Sequence, residues 1–195
     1  MTSDIDHNAL SLDSPASNRD YDLIQDILGG NTQRYAEIVS AYQQKVANLT
    51  YKIVGERFDV KEVTQQVFVE LYLALPRFKY QSKLSTYIYK IAINVISKML
   101  TRDNRFVRND DTTQFDAPSH ESNPEHQIIR TETQRQVRYC ITKLKSEQRI
   151  ALVLYTYKDL SYQEIADIMQ VSLSKVESLI FRARKNIAKM LTQKN

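Results

Sequence analysis

Two stretches of this chain carry the residue types that bind a polyanion. In the first, Arg77 to Arg108, the bases Arg77, Lys79, Lys83, Lys90, Lys98, Arg102, Arg105 and Arg108 stand against one acid, Asp103. Within it, Phe78 to Lys83 is a short basic and aromatic loop. The second is Leu160 to Arg184, LSYQEIADIMQVSLSKVESLIFRAR, with Arg182, Arg184, Lys185 and Lys189 on its last helix and the continuation. Clustered cations supply phosphate contacts, and two separated blocks suit two contacts along one polyanion. Lys175, Ser178 and Arg182 recur at roughly helical spacing, away from the Val176–Leu179 stripe, which favours DNA contact over a merely solvated face. Glu177 can accept a hydrogen bond from a cytosine amino group or cap a helix, and the sequence leaves both open.

The chemistry of catalysis is not evident. There is no phosphate-binding glycine loop, H-E-x-x-H or nucleophile elbow. His120, Glu121, Glu125 and His126 form a loose group in a Pro-containing segment and read as solvated loop residues rather than a metal site. Cys140 is the only cysteine, so no disulfide within the chain and no Cys-based zinc site can form; it reads as a small core residue. No cofactor, metal or enzymatic activity is expected.

The elements that position these residues follow from periodicity. From Leu160 onward the pattern is a helix-turn-helix, with Ile165, Met169, Val171, Val176 and Leu179 filling the wedge and Ala166 allowing close approach. Ser161 with Glu164 forms an S-x-x-E capping box. Ser172 can cap the second helix, although Ser174 with Glu177 offers a competing start. Gln170 stands at the turn position usually held by Gly, and adopts a left-handed conformation less easily.

Upstream, Asp22 to Leu28 is a short amphipathic segment ended by Gly29-Gly30. Asn31 can cap a helix with Tyr35, Ile38, Val39, Tyr42, Val46 and Leu49 on one stripe. Asp59 caps the next, which carries Val60, Val63, Val67, Leu71 and Leu75 and stops at Pro76. A fourth runs from about Ser85 into Leu100, burying Ile88, Ile91, Ala92, Val95 and Met99. Helical pattern resumes near Ile128, and Ser146 can cap a helix carrying Ile150, Val153, Leu154 and Tyr157.

The chain has 195 residues, a net charge of +4, and only 3 Gly and 4 Pro, too few for the tight turns of a sheet-rich fold. The fold class is therefore all-α: two small helical domains joined by a flexible linker. The expected division is an acidic, disordered tail over 1–20, a first domain over 21–105, a linker over 106–127 and a second domain over 128–195. No apolar run spans a bilayer and the first residues lack a signal peptide's pattern, so a cytoplasmic protein without membrane insertion is expected.

The runs VKEVTQQVFVELYLALPRF and LSTYIYKIAINV resemble region 2 of bacterial RNA polymerase sigma factors. LKSEQRIALVLYTYKDLSYQEIADIMQVSLSKVESLIFRARKNI resembles region 4, and a chain with only these two regions is similar to the extracytoplasmic-function (ECF) group. The resemblance covers about Tyr21 to Leu191. It implies a non-enzymatic factor that binds core polymerase and recognises the −10 and −35 promoter elements. Region 2 would bind the clamp helices of the largest subunit through Asp59, Glu62, Val63, Gln66, Val67 and Glu70. Lys79, Tyr80, Gln81, Ser82 and Lys83 would capture a flipped −10 base, with Ser85, Thr86, Tyr87, Lys90 and Asn94 facing DNA on the next helix. Stacking on tyrosine and charge from two lysines suit that task. Region 4 would meet the −35 element with Ser172, Ser174, Lys175, Glu177, Ser178, Arg182 and Arg184, while its outer apolar surface holds the flap of the second-largest subunit. An anti-sigma partner is also implied. Tyr87, Ser85 and Lys98 depart from the family's common Trp, Arg and acid, so its promoter sequence does not carry over. The rivals are a stand-alone operator-binding regulator and a recombinase with a C-terminal reading domain. The first would bind DNA without polymerase, and the second lacks evident clustered carboxylates.

Overall fold

The computed structural model describes residues 18–55, 58–107, 135–156 and 160–192, and the regular structure among them is entirely helical. The expected tail before residue 18, the linker after Val107, the group around His120 to His126, and Tyr157 lie outside the described residues.

Helix α1, Asn18–Leu28, buries Leu23, Ile24 and Ile27 and ends at Gly29-Gly30, where Gly30 takes a φ of 106° that only glycine adopts freely. Asn31 does not cap the following helix through its side chain. A 3-10 turn, Thr32–Arg34, intervenes, and α2 runs Tyr35–Val54. The turn is tied down instead by Arg34, which pairs with Asp26 and with Glu37, the latter at 2.8 Å. α2 buries Ile38, Tyr42, Val46, Leu49 and Ile53, each contributing about 1.5–3 kcal/mol if removed fully from water. Helix α3, Val60–Ala74, starts where the Asp59 carboxylate accepts from the Lys61 and Glu62 backbone amides at 2.8 and 3.3 Å. A second 3-10 turn, Leu75–Arg77, holds Pro76 where the helix must stop.

Helix α4, Leu84–Val107, outruns the expected end at Leu100 and takes in Phe106 and Val107. Ile88, Ala92, Val95 and Ile96 are its buried stripe; Ile91 and Met99 are only partly covered. The chain is helical again over 135–142, designated α5. In α6, Ser146–Tyr155, Ser146 is the first helical residue rather than its cap, because Lys145 takes the preceding extended position. Helices α7, Tyr162–Met169, and α8, Leu173–Thr192, form the helix-turn-helix.

The two halves share one hydrophobic core. α7 packs on α4 and α6 on α2, so that Ile53 and Ile88 belong to the same buried cluster as Ile150, Leu154 and Ile165.

Candidate nucleic-acid interface

The loop that follows α3 is built on an aromatic ladder. Tyr80 sits at φ 56°, a left-handed conformation that turns the chain sharply. Its ring lies 4.9 Å from that of Tyr21 and 4.8 Å from that of Phe78. Gln25 donates a hydrogen bond to the Tyr80 hydroxyl at 3.1 Å. Phe78 in turn contacts the Tyr87 ring at 4.7 Å, and the Tyr87 hydroxyl donates to the Ala74 carbonyl at 3.0 Å. Burial pushes the Tyr87 phenol above its ordinary range, and the nearby Arg77 offsets this only in part. The tyrosines are thus a half-buried platform, with Lys79 and Gln81 exposed at its rim.

Ser82, Ser85, Tyr87 and Lys90 are partly exposed, and Asn94 is exposed one turn beyond Lys90. Thr86 does not join them: it is 4% exposed and cannot meet DNA in this arrangement, because its position on α4 turns it into the packed side. Lys83 is also drawn inward, its Nζ lying 3.5 Å from the Glu164 carboxylate on α7.

The helix-turn-helix has the local devices that its sequence called for. Ser161 and Glu164 cap each other: the Ser161 hydroxyl accepts from the Glu164 amide at 3.2 Å, and the Glu164 carboxylate accepts from the Ser161 amide at 2.8 Å. Partial burial pushes the Glu164 carboxyl up, but the Ser161 hydrogen bonds and the charge of Lys83 outweigh it and hold it below its ordinary value. Gln170 adopts φ 56° and ψ 46°, the left-handed cap that glycine usually fills. The Val171 amide reaches back to the Ala166 carbonyl at 3.0 Å, closing a Schellman motif. Ser172 caps α8 by accepting from the Lys175 amide at 3.3 Å. The competing start at Ser174 is not used, so Glu177 is released from any capping role and stands exposed on the helix.

The exposed face of α8 carries Ser174, Lys175, Glu177, Ser178 and Arg182. Two of the expected contacts are diverted. Lys175 pairs with Glu147 at 2.9 Å, beside the shallow notch that Ser178 and Arg182 also line. Arg184 lies over the Tyr155 ring, 4.6 Å from its centroid, on the flank of the helix. Its guanidinium, through a hydrogen bond and its charge, holds the Tyr155 phenol below its ordinary value. Sequence reasoning missed Phe181, which is 68% exposed one turn beyond Glu177 and Ser178. The signal was there: Phe181 falls outside the Val176–Leu179–Ile180–Ala183 stripe, and an apolar contact there suits a thymine methyl group.

The α3 face divides differently from the expectation. Asp59, Glu62 and Gln66 are exposed, Glu70 is partly so, and Gln66 donates to Glu70 at 3.3 Å. Val63 and Val67 are 1% and 0% exposed. They are core residues facing α2 and α4 and cannot touch a partner. The apolar surface lies on the adjacent side, where Val69, Tyr72 and Leu73 are exposed beside a groove of about 930 Å³ floored by Tyr35, Val39 and Phe68. Among the described residues there is no cluster of His, Cys, Asp and Glu that could hold a metal ion, and no helix long and apolar enough to cross a membrane.

A helix-turn-helix and a separate basic, aromatic loop on one all-α chain mark the class of DNA-binding proteins. The family described as Sigma-70 region 2 matches residues 38–106, and that described as Sigma-70, region 4 matches residues 134–187. The RNA polymerase sigma-H factor of Pseudomonas aeruginosa is 32% identical over 181 residues, covering 89% of this chain and 94% of that protein. The ECF RNA polymerase sigma-E factor of Escherichia coli is 33% identical over 173 residues, 85% of this chain and 90% of that one. The chain belongs to the ECF group of RNA polymerase sigma factors. Sigma factors bind RNA polymerase and are not enzymes.

Two solved structures share the fold. CnrH, in complex with the cytosolic domain of CnrY, matches with a TM-score of 0.63 at 24% identity, over 90% of this chain and 99% of that one. The sigma factor RpoE of Bartonella quintana, in complex with the anti-sigma factor NepR, gives 0.62 at 15% identity, over 81% and 96%. The first corrects the expectation of a simply cytoplasmic protein. CnrH is held by a partner of which only a domain is cytosolic, so absence of a membrane span in a sigma factor does not place it free in the cytoplasm.

Proposed function

We propose that this sigma factor directs core polymerase to a two-part promoter, reads the −35 element with α8 and captures an extruded −10 base at the loop 79–83. The observation that carries the reading is the Tyr21–Tyr80–Phe78–Tyr87 ladder beside exposed Lys79, on the same chain as a capped helix-turn-helix. Stacking on such a platform offsets part of the cost of unpairing, a few kcal/mol. Opening by this route consumes no nucleotide. Ser178, Arg182, Glu177 and Phe181 supply the −35 contacts, with Lys175 available once it leaves Glu147. The divisions at 21–105 and 128–195 are proposed as the −10-reading and −35-reading units, the latter also offering the polymerase flap its outer surface.

The polymerase clamp helices are proposed to dock on α3 through Asp59, Glu62, Gln66 and Glu70, with Leu73 and Tyr72 extending the contact. An anti-sigma partner fits the same exposed apolar surface, as relatives of this fold are seen with such partners. A stand-alone regulator is tested directly. Purified chain and holoenzyme are compared by gel shift on promoter duplex, with permanganate footprinting of the −10 region. The proposal requires specific binding and opening by the holoenzyme and poor binding by the chain alone. Tight, specific binding by the isolated chain at physiological salt supports a repressor or activator instead.

A further inference from the structure

We infer that Tyr21, on α1, supplies the open ring on which an extruded −10 base stacks, so that α1 joins the loop 79–83 in holding that element. The inference rests on the base-capture reading above. It adds to that reading a residue that precedes the region 2 match over 38–106.

Stacking needs a flat aromatic face that is open to solvent before the base arrives. The ladder has four rings, and three of them have little such face to give. Phe78 is 6% exposed and lies between Tyr80 and Tyr87. Tyr80 is flanked by both Phe78 and Tyr21, at centroid separations of 4.8 and 4.9 Å. Tyr87 packs on Phe78, and its hydroxyl is engaged by the Ala74 carbonyl. Tyr21 is the end rung. Among the described residues its one ring neighbour is Tyr80, and it is 49% exposed.

The helix places it there. α1 buries Leu23, Ile24 and Ile27, which fixes the helix on the core. Tyr21 and Gln25, four residues apart, share one side of it. Tyr21 meets the Tyr80 ring, and Gln25 donates to the Tyr80 hydroxyl at 3.1 Å. Tyr80 itself stands at φ 56°, which a bulky side chain holds only when its surroundings fix it. Tyr80 is thus the backing of the platform, and Tyr21 is its open face.

An exposed tyrosine taken alone is an ordinary surface residue. This one continues a stack of rings, and Lys79, next to Tyr80 in the loop, is exposed to hold the phosphate of a stacked nucleotide. Every base has a π face, so Tyr21 favours extrusion without choosing the base.

The test uses holoenzyme carrying Tyr21→Leu or Tyr21→Phe and promoter templates whose −10 strand is unpaired. Leucine keeps an apolar contact with Tyr80 but has no π face; phenylalanine keeps both. Tyr21→Leu should bind the unpaired template at least about fivefold more weakly, the lower end of what stacking one base contributes, and Tyr21→Phe should bind as the wild type does. The loss should vanish on a template made abasic at one −10 position, which the wild type itself should bind more weakly. It should persist when the base there is exchanged for another. A loss of the same size on every abasic template would make Tyr21 a brace of the fold, and no loss on the intact template would leave it a surface residue; either result overturns the inference. A wild-type holoenzyme that binds every abasic template as well as the intact one refutes base capture by this chain altogether, so the two failures are told apart.

Discussion

Replacing Gln170 with glycine should stabilise the protein without altering what it binds. Gln170 closes α7 at φ 56° and ψ 46°, and the Schellman bond from Val171 to Ala166 depends on that conformation. A side chain with a Cβ costs about 1–2 kcal/mol in the left-handed region. Glycine removes that cost but loses roughly 0.5–1 kcal/mol through the greater freedom of its unfolded chain. The difference leaves a gain of about 0.5–1 kcal/mol, or a rise in Tm of roughly 1–4 °C for a chain of this size. Circular dichroism at a helical wavelength follows the melt, and Gln170→Val serves as the opposite control because a β-branched residue resists positive φ. The turn geometry is already that of glycine, so −35 affinity in the holoenzyme should not change. An unchanged or lowered Tm for Gln170→Gly would show that no strain is held at this turn.

Tyr80→Ala should slow −10 opening while leaving closed-complex binding intact, with about 1–3 kcal/mol of stacking lost; Tyr80→Phe, which loses only the Gln25 bond, should open promoters almost normally by permanganate footprinting. In filter binding, Glu177→Gln should relax a preference for cytosine at one −35 position by about 1–3 kcal/mol, and Arg182→Ala should weaken recruitment before melting. Leu73→Asp, at a site 65% exposed, should lower core-polymerase affinity in a pull-down titration with an unchanged melting curve. The Glu164 carboxyl is held below its ordinary value, so its contribution to stability is present above pH 4.5 and is lost as pH falls through its lower folded value. Urea unfolding should therefore show a flatter acid limb in Glu164→Gln than in the wild type.

Much of this protein was legible along the chain because its signals are local. Helical periodicity depends on spacing within a turn or two, and α2, α3 and α4 formed where it put them, although Ile91 and Met99 on α4 are only partly covered. The Ser161–Glu164 box and the Asp59 cap are contacts between residues two or three apart, and both formed. The paired motifs of regions 2 and 4 showed the family for the same reason, since each is a contiguous run. Tertiary structure decided what depends on residues far apart. Asn31 and Ser146 had the chemistry of caps, but Arg34's pairing with Asp26 and Glu37 and the position of Lys145 set those helix starts. Periodicity already put Val63 and Val67 on the apolar stripe of α3, and their packing against α2 and α4 removes them from the partner-binding face that the resemblance gave them, leaving Glu62 and Gln66 exposed. Lys175, Arg184 and Lys83 read alike as free cations, yet Glu147, Tyr155 and Glu164 engage them from 28, 29 and 81 positions away in sequence. The docking of the two halves through Arg149 and Ile53, 96 positions apart, was invisible for the same reason. A sequence displays what a residue can do, but which partner reaches it first is settled by the fold.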